Sequence, residues 1–296
     1  MDLYCKSNHF VLQWRRKGRV ALNPCFSYHD GALGAHYATD ERPDPGKFRM
    51  HTHDAYELFC LLEGRGSYRI EGSSYPLTPG DILLMRPLEA HYIRVDPTCR
   101  YTRFAIHFRP SLLENIDPDG VLLRPFTARE AGKRNLYHAE DFDTPLCRLL
   151  LQNAMAPCDD RRLQLLTALI PLLGEIGRVF AAKKDAEADE TQIYRILHYI
   201  NSHMAEPLTL DAICRRFYIS KPHLCRTFKQ ATGSTVWDYI KVKRLMNARQ
   251  LILSGAAPTK AFAQCGFSDY SAFYRAYRKE FGISPAETPK TPGAPF

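Results

Sequence analysis

The sequence predicts an α+β chain of two domains. An N-terminal β-barrel with a helical dimerisation segment behind it is followed by a C-terminal all-α domain carrying two helix-turn-helix units. Three observations predict this. Residues 48–108 break into short apolar runs at regular spacing with turn residues between them, the pattern of a sandwich or small barrel. A capped helical pattern occurs twice in the last third, at an offset of 49 residues. The net excess of positive charge is confined to that same third: residues 191–296 carry 15 Lys+Arg against 6 Asp+Glu, while the remainder carries 25 against 26. Such a field attracts polyanions.

Composition sets outer limits. At 296 residues, 45% hydrophobic and 24% charged, the chain has an ordinary globular make-up and enough apolar residues for sizeable cores. No apolar run approaches 18 residues, so no membrane span is expected, and no signal peptide is expected at the start. The nine cysteines form no CxxC pair, which speaks against a disulfide framework or zinc ribbon and for reduced thiols in a cytoplasm.

Residues 1–45 read as edge strands and loops broken by Gly18, Pro24, Gly31, Gly34, Pro43 and Pro45, with a small basic cluster around Trp14. The run 58–62 is a buried strand ended by Gly64, residues 67–70 alternate, Glu71 to Ser74 turn, and residues 78–81 turn again before a strand at 82–85. Ile93, Val95, Tyr101, Phe104, Ile106 and Phe108 continue the β texture.

Two stretches here resemble the cupin family. Gly46, His51, His53, Glu57 and Gly64 fit its first motif, and Gly80, Pro87 and His91 approximate the second. In metal-binding cupins the two histidines, the glutamate and the later histidine ligate one ion, a set that would suit Fe, Mn, Ni or Zn. The attached basic domain and the imperfect second motif favour the other kind of cupin, a regulatory one that binds a small molecule without metal. No cofactor is therefore expected. His51, His53, Glu57, Arg69, His91 and Tyr92 are the candidate effector-binding residues, a polar and aromatic set suited to a sugar or small acid.

Residues 109–140 are irregular. Helical texture follows at 144–155 and again after Asp159 and Asp160, where Leu163, Leu166, Leu169, Ile170, Leu172, Leu173, Ile176, Val179 and Phe180 form a broad apolar face. Pro171 should kink or split that helix. The face is expected to serve a homodimer, with packing on the β domain as the alternative. Residues 183–190 are small and charged and read as a linker. The resulting division is 1–140 sensor, 141–182 helical segment, 183–190 linker and 191–290 DNA-binding domain.

In the last third, Ile193, Ile196, Leu197 and Ile200 mark a first amphipathic helix. Thr209 and Leu210 start another. The repeated unit then appears: Ser220 matches Asp269 as an N-cap, Leu224 and Phe228 match Phe273 and Tyr277 as an apolar i, i+4 pair, Arg226 matches Arg275, and Gly233 matches Gly282 at the C-terminus. A long helix through Tyr239, Leu245 and Ile252 joins the two units.

This stretch resembles the DNA-binding domain of the AraC/XylS regulators, through Leu208 to Leu210, Leu224, Arg226, Phe228, Gly233, Tyr239, Arg244, Ala248, Gly266 to Asp269, Phe273, Gly282, Ser284 and Pro285. The match spans about a hundred residues. With a cupin-like sensor ahead of it, the whole chain resembles the ligand-responsive members: cytoplasmic homodimers that bind double-stranded DNA and a small effector, with RNA polymerase as a further partner. A cupin enzyme with a DNA-binding appendage is the alternative class. The resemblance implies recognition helices in successive major-groove segments. Lys221, Pro222, Cys225 and Arg226 of the first, and Tyr270, Ser271, Tyr274 and Arg275 of the second, are the candidates for base contact. Lys229, Lys241, Lys243, Arg244, Arg278 and Lys279 are the candidates for phosphate contact. Phe262 stands where the family has a small alanine at a helix crossing, which implies repacking or a slip that places Ala263 there.

Overall fold

Alternating runs in the N-terminal half pair into two sheets facing each other. The computed structural model describes residues 25–183 and 191–288. The expected strand pieces before Cys25, the basic cluster at Trp14, and residues 184–190 of the linker lie outside the described residues.

The strands are β1 Phe26–His29, β2 Leu33–Asp40, β3 Tyr56–Glu63, β4 Gly66–Ile70, β5 Ser73–Leu77, β6 Ile82–Met85, β7 His91–Val95, β8 Tyr101–Phe108 and β9 Leu136–Tyr137. One sheet has the order β1-β2-β8-β3-β6-β9 and the other β5-β4-β7, with every pair antiparallel. Pro76 is tolerated because β5 is an edge strand. Gly64 turns the chain at φ +109°, and a Cβ there would sit 2.5 Å from Arg100 O, so only glycine fits.

Alternation along β3 and β8 divides the core in two. Tyr56, Leu58, Cys60, Phe104, Ile106 and Phe108 face outward into one apolar cluster. Phe59, Leu61, Tyr101 and Ala105 face inward into another, against Tyr68, Ile70 and Ile93 of the smaller sheet. Glu57 belongs to the inward-facing set.

Three helices follow: α1 Arg124–Thr127, α2 Leu146–Met155 and α3 Arg161–Ala182, the last capped by Asp160, whose side chain accepts from Leu163 N. Two expectations meet in α3. Helix α3 is not split at Pro171: it runs through it as one element. Leu165, Ala168 and Leu169 before the proline, and Leu172, Leu173 and Ile176 after it, are all fully buried in the outward-facing cluster. Each of the five leucine and isoleucine side chains among them contributes about 1.5–3 kcal/mol, which together exceeds the ~3 kcal/mol cost of the proline. Much of the apolar face expected to form a dimer contact is therefore consumed by the sheet. By length and a mean hydropathy of 1.6, α3 is also long and apolar enough to cross a membrane; here Leu165, Leu169, Leu172 and Leu173 are buried in the cluster against the sheet, while Leu163 is exposed.

The C-terminal half holds α4 Gln192–Ser202, α5 Leu210–Phe217, α6 Lys221–Thr232, α7 Val236–Leu253, α8 Pro258–Gln264 and α9 Tyr270–Phe281. Side chains of Thr191, Thr209, Ser220, Thr235 and Asp269 cap α4, α5, α6, α7 and α9. Gly233 and Gly282 end α6 and α9 at φ +74° and +73°. Ile196, Leu197, Ile200, Ile213, Leu224, Phe228, Val236 and Tyr239 form the core of the first unit. Leu245, Ala248, Ile252, Ala261, Phe273 and Tyr277 form that of the second. The small residue at the second crossing is Ala261, fully buried, while Ala263 is exposed. Phe262 is turned aside to pack on Phe267, Tyr270 and Phe273. The slip thus runs one residue the other way from the expectation.

Candidate functional site

Inside the barrel, three imidazoles gather around one carboxylate, and a fourth ring, that of the exposed His51, packs edge-on against one of them, His91. Glu57 is carried inward by β3, opposite His107 of β8 in the strand register. His51, just before β3, exchanges two backbone hydrogen bonds of 3.0 Å with His91 at the start of β7. His53 Nε2 lies 2.7 Å from Glu57 Oε2, His91 Nε2 at 3.3 Å and His107 Nε2 at 3.5 Å from the same oxygen.

The other ring nitrogens settle the tautomers. His53 Nδ1 is 2.9 Å from Ala55 O and His91 Nδ1 is 2.7 Å from Glu89 O. A carbonyl only accepts, so both Nδ1 atoms carry hydrogen, and each Nε2 turned to Glu57 is either a lone pair or an imidazolium N–H. Burial alone would raise the Glu57 pKa, but His107, His53 and His91 hold it well below the carboxylate range. Burial pushes His53 down. His91 is burial-penalised too, yet its contact with Glu57 raises it. His91 Nε2 is fully buried and meets Glu57 Oε2 at 3.3 Å as an ion-pair contact without well-directed hydrogen-bond geometry.

His53, Glu57 and His91 place their ligand atoms within 4.8 Å of one another. Nitrogen and oxygen donors with Nδ1 atoms tied to backbone carbonyls are the arrangement that holds a divalent cation. The residues present therefore fit a metal as well as a polar organic ligand.

Of the six expected effector residues, His51, His53, Glu57 and His91 are brought together. Arg69 and Tyr92 are not: paired across β4 and β7, they point out of the barrel toward α6 and α7, beside Tyr239 and Thr232. His107 was missed. The signal for it was its place in the alternating run of β8, two residues from inward-facing Ala105.

The second candidate surface lies on the basic domain. In α6, Lys221, Pro222, Cys225, Arg226 and Lys229 are exposed while Leu224 and Phe228 are buried. In α9, Ser271, Arg275, Arg278 and Lys279 are exposed, and Tyr270 and Tyr274 are each 37% exposed. The helix period thus sorts both sets as expected, base-reading candidates outward and apolar pairs inward. Lys221 pairs with Asp211 at 2.7 Å and Lys241 with Asp238 at 2.7 Å, both on the surface.

Two of the phosphate candidates are placed otherwise. Arg244 donates from Nε to Met204 O at 2.9 Å and from Nη2 to Glu206 O at 2.7 Å, stapling α7 to the segment before α5. Lys243 is buried and directs its ammonium to Glu71 of the sensor at 2.6 Å. In this arrangement neither is offered to DNA, because each meets a nearer acceptor within the protein.

Two family profiles match the chain. One, described as an AraC-like ligand binding domain, covers residues 33–153, and the other, described as a helix-turn-helix domain, covers residues 213–291. Among curated relatives, the HTH-type transcriptional activator RhaS of Escherichia coli O81 (strain ED1a) is 26% identical over 262 residues, 86% of this chain and 91% of the relative. Among solved structures, ToxT from Vibrio cholerae is similar at a TM-score of 0.38 and 13% identity, over 86% of this chain and 97% of that one. A probable AraC family transcriptional regulator from Rhodopseudomonas palustris CGA009 is similar at a TM-score of 0.31 and 31% identity, over 33% of this chain and 93% of that one.

Proposed function

The chain belongs to the AraC/XylS family of transcription regulators, a family of regulators and not of enzymes, and from that premise we propose how this member divides the work among its residues. Two capped helices of the same design, α6 and α9, read one face of a duplex. Arg226 and Arg275 take guanine O6 and N7, since a guanidinium meets both acceptors at once. Lys221, Cys225, Tyr270, Ser271 and Tyr274 flank them. Pro222, at the start of α6, lacks an N–H to offer and acts by shape. Lys229, Lys241, Arg278 and Lys279 meet phosphates and set the register.

The observation that carries this reading is the outward arginine repeated at the same position of two Ser- or Asp-capped, Gly-ended helices. The test is site selection with the whole chain on a random duplex library near physiological salt. Two enriched half-motifs about 10–10.5 bp apart support it. Binding with no enriched sequence, only weakening as salt rises, refutes base reading.

The effector site is the barrel interior around Glu57. Imidazole Nε2 atoms and a carboxylate suit a hydroxylated or acidic small molecule. A second reading of the same site rests on the convergence of its donor atoms: His53, Glu57 and His91, with their ligand atoms within 4.8 Å of one another, would hold a divalent cation, which would supply a fixed positive charge for an acidic effector. The regulator acts in the cytoplasm, as a homodimer through what α2 and α3 leave uncovered, where Leu146, Leu149 and Leu163 are 39%, 51% and 58% exposed. RNA polymerase is the further partner of an activating member.

A further inference from the structure

The two halves of the chain meet across a polar seam centred on Glu71. This residue and Gly72 make the two-residue turn between β4 and β5, with φ of +46° and +86° in succession. Such turns favour asparagine or aspartate before glycine, and a glutamate held left-handed marks a position kept for another reason. Its carboxylate is not given to water. Oε1 accepts from Ala90 N at 2.7 Å and from Lys243 Nζ at 2.6 Å. Oε2 accepts from Asn201 Nδ2 at 3.0 Å and from the Tyr239 hydroxyl. Three of the four donors come from the DNA-binding half, one from α4 and two from α7. The Lys243 and Glu71 side chains are 11% and 2% exposed.

The surroundings fit the same contact. A Cβ on Gly72 would sit 2.3 Å from Leu197 Cδ1, so the turn approaches α4 as closely as a backbone can. A Cβ on Gly233, the cap of α6, would sit 2.9 Å from the Tyr92 ring. Arg94 Nη2 donates to Gln230 O at 3.2 Å, placing a cation at the carbonyl end of the same helix. Tyr194 of α4 donates to Glu130, and Lys133 Nζ stands 3.9 Å over its ring. The recognition helix α6 is thus gripped at its C-terminal end while its reading face stays open.

We propose that the Glu71 turn is an intramolecular latch, by which the sensor binds its own DNA-binding domain and withholds Lys243 from DNA. A carboxylate occupies the place a phosphate oxygen would take on that ammonium, so docking and phosphate contact by Lys243 exclude each other. A seam of paired charges suits a reversible contact: both groups are compensated while docked and hydrated when apart. The latch is also joined to the barrel interior. Glu71 N donates to Ala90 O at 2.9 Å, Ala90 N donates back to the Glu71 carboxylate, and the next residue is His91. A ligand that moves His91 moves the ladder on which Glu71 is mounted. This last coupling rests on the effector reading given above; the latch itself does not.

The test uses the whole chain as Glu71→Ala, Lys243→Met, the double variant, and Asp119→Ala, which removes one exposed sensor carboxylate as a charge control. Circular dichroism confirms folding. Small-angle scattering reads the radius of gyration, and fluorescence anisotropy on one fixed duplex reads affinity against salt. Glu71→Ala and Lys243→Met should both enlarge the radius, and the double variant should enlarge it no further. Glu71→Ala should bind DNA several-fold more tightly than Asp119→Ala, with a salt slope steeper by about 0.9, one added phosphate contact. Lys243→Met, open but lacking the ammonium, should gain no slope. If Glu71→Ala does not fold, Lys243→Met carries the radius measurement from the other side. A wild-type radius in the folded variants overturns the proposal, as does a Glu71→Ala slope equal to that of Asp119→Ala. Neither result touches base reading, which stands on site selection with the unaltered chain.

Discussion

Replacing Arg129 by methionine tests how the sensor holds the segment that leads into His91. Arg129 and Glu89 form a two-pronged pair, Nη1 to Oε1 at 2.6 Å and Nη2 to Oε2 at 2.8 Å, with side chains 0% and 1% exposed. Arg86 N, Gly132 N and Asn135 Nδ2 also donate to Glu89. Methionine fills much of the arginine's volume but leaves a buried carboxylate with neutral donors only. Breaking a buried pair from one side costs about 3–5 kcal/mol. At roughly 2–4 °C per kcal/mol for a unit of this size, thermal unfolding should fall by about 6–20 °C. The assay is a melt of the whole chain by circular dichroism at neutral pH. The sign with pH is also fixed. Burial alone would raise the Glu89 pKa, but Arg129 holds it below the usual carboxylate value. A depressed carboxylate contributes stability that is present above the unfolded pKa and lost as pH falls through the folded one. Without Arg129 that contribution is gone, so the gap between the two proteins should narrow as pH falls from 7 through the ordinary carboxylate range. Replacing Glu89 as well, by leucine, should restore part of the loss. A variant that melts within about 2 °C of the parent, less than 1 kcal/mol at this size, would refute the reasoning.

Arg226→Ala should cost about 1–3 kcal/mol on the selected duplex and relax base choice at one position of its half-site, read by anisotropy on matched and mismatched duplexes; Arg275→Ala should do the same in the other half-site, and unchanged preference would remove that residue from base reading. Asp269→Ala takes the acceptor from Ser271 N and Ala272 N and should destabilise the second unit by about 1 kcal/mol in a thermal melt. Leu163→Asp should leave the fold intact and shift sedimentation toward the monomer; an unchanged sedimentation coefficient would clear this residue of any interface role. Calorimetric titration with Zn2+ separates the two readings of the barrel site: one site per chain that Glu57→Gln and His91→Ala each abolish would support the cation, and no such site would leave the metal-free effector reading.

Periodicity carried most of the architecture. Alternation placed the strands from Tyr56 to Phe108, and the i, i+4 apolar pairs with their caps placed α6 and α9, because these are local consequences of where a side chain must point. What periodicity could not see was where a long-range partner would stand. Lys243 and Arg244 sit on the polar side of α7 and read as surface charge, yet each is claimed by an acceptor from a segment distant in sequence. Arg69 and Tyr92 alternate with barrel-lining neighbours and were grouped with them, though that very alternation turns them outward. Pro171 was read from its backbone chemistry alone, while six buried side chains on α3 decide the outcome. The His51, His53, Glu57 and His91 group was legible through the resemblance to the cupin motifs; those motifs do not include His107, which the β8 alternation turns inward and strand pairing brings across from Glu57.

The hairpin tip at Glu71 and Gly72 bears on how such chains can be rebuilt. A sensor exchanged for another would bring a turn of different shape to Leu197, Asn201, Tyr239 and Lys243. The lysine would then lose its counter-charge, and any larger residue in place of Gly72 would strike α4. The halves of this regulator are therefore not interchangeable cassettes, and a working graft must carry the α4 and α7 positions along with the sensor it serves.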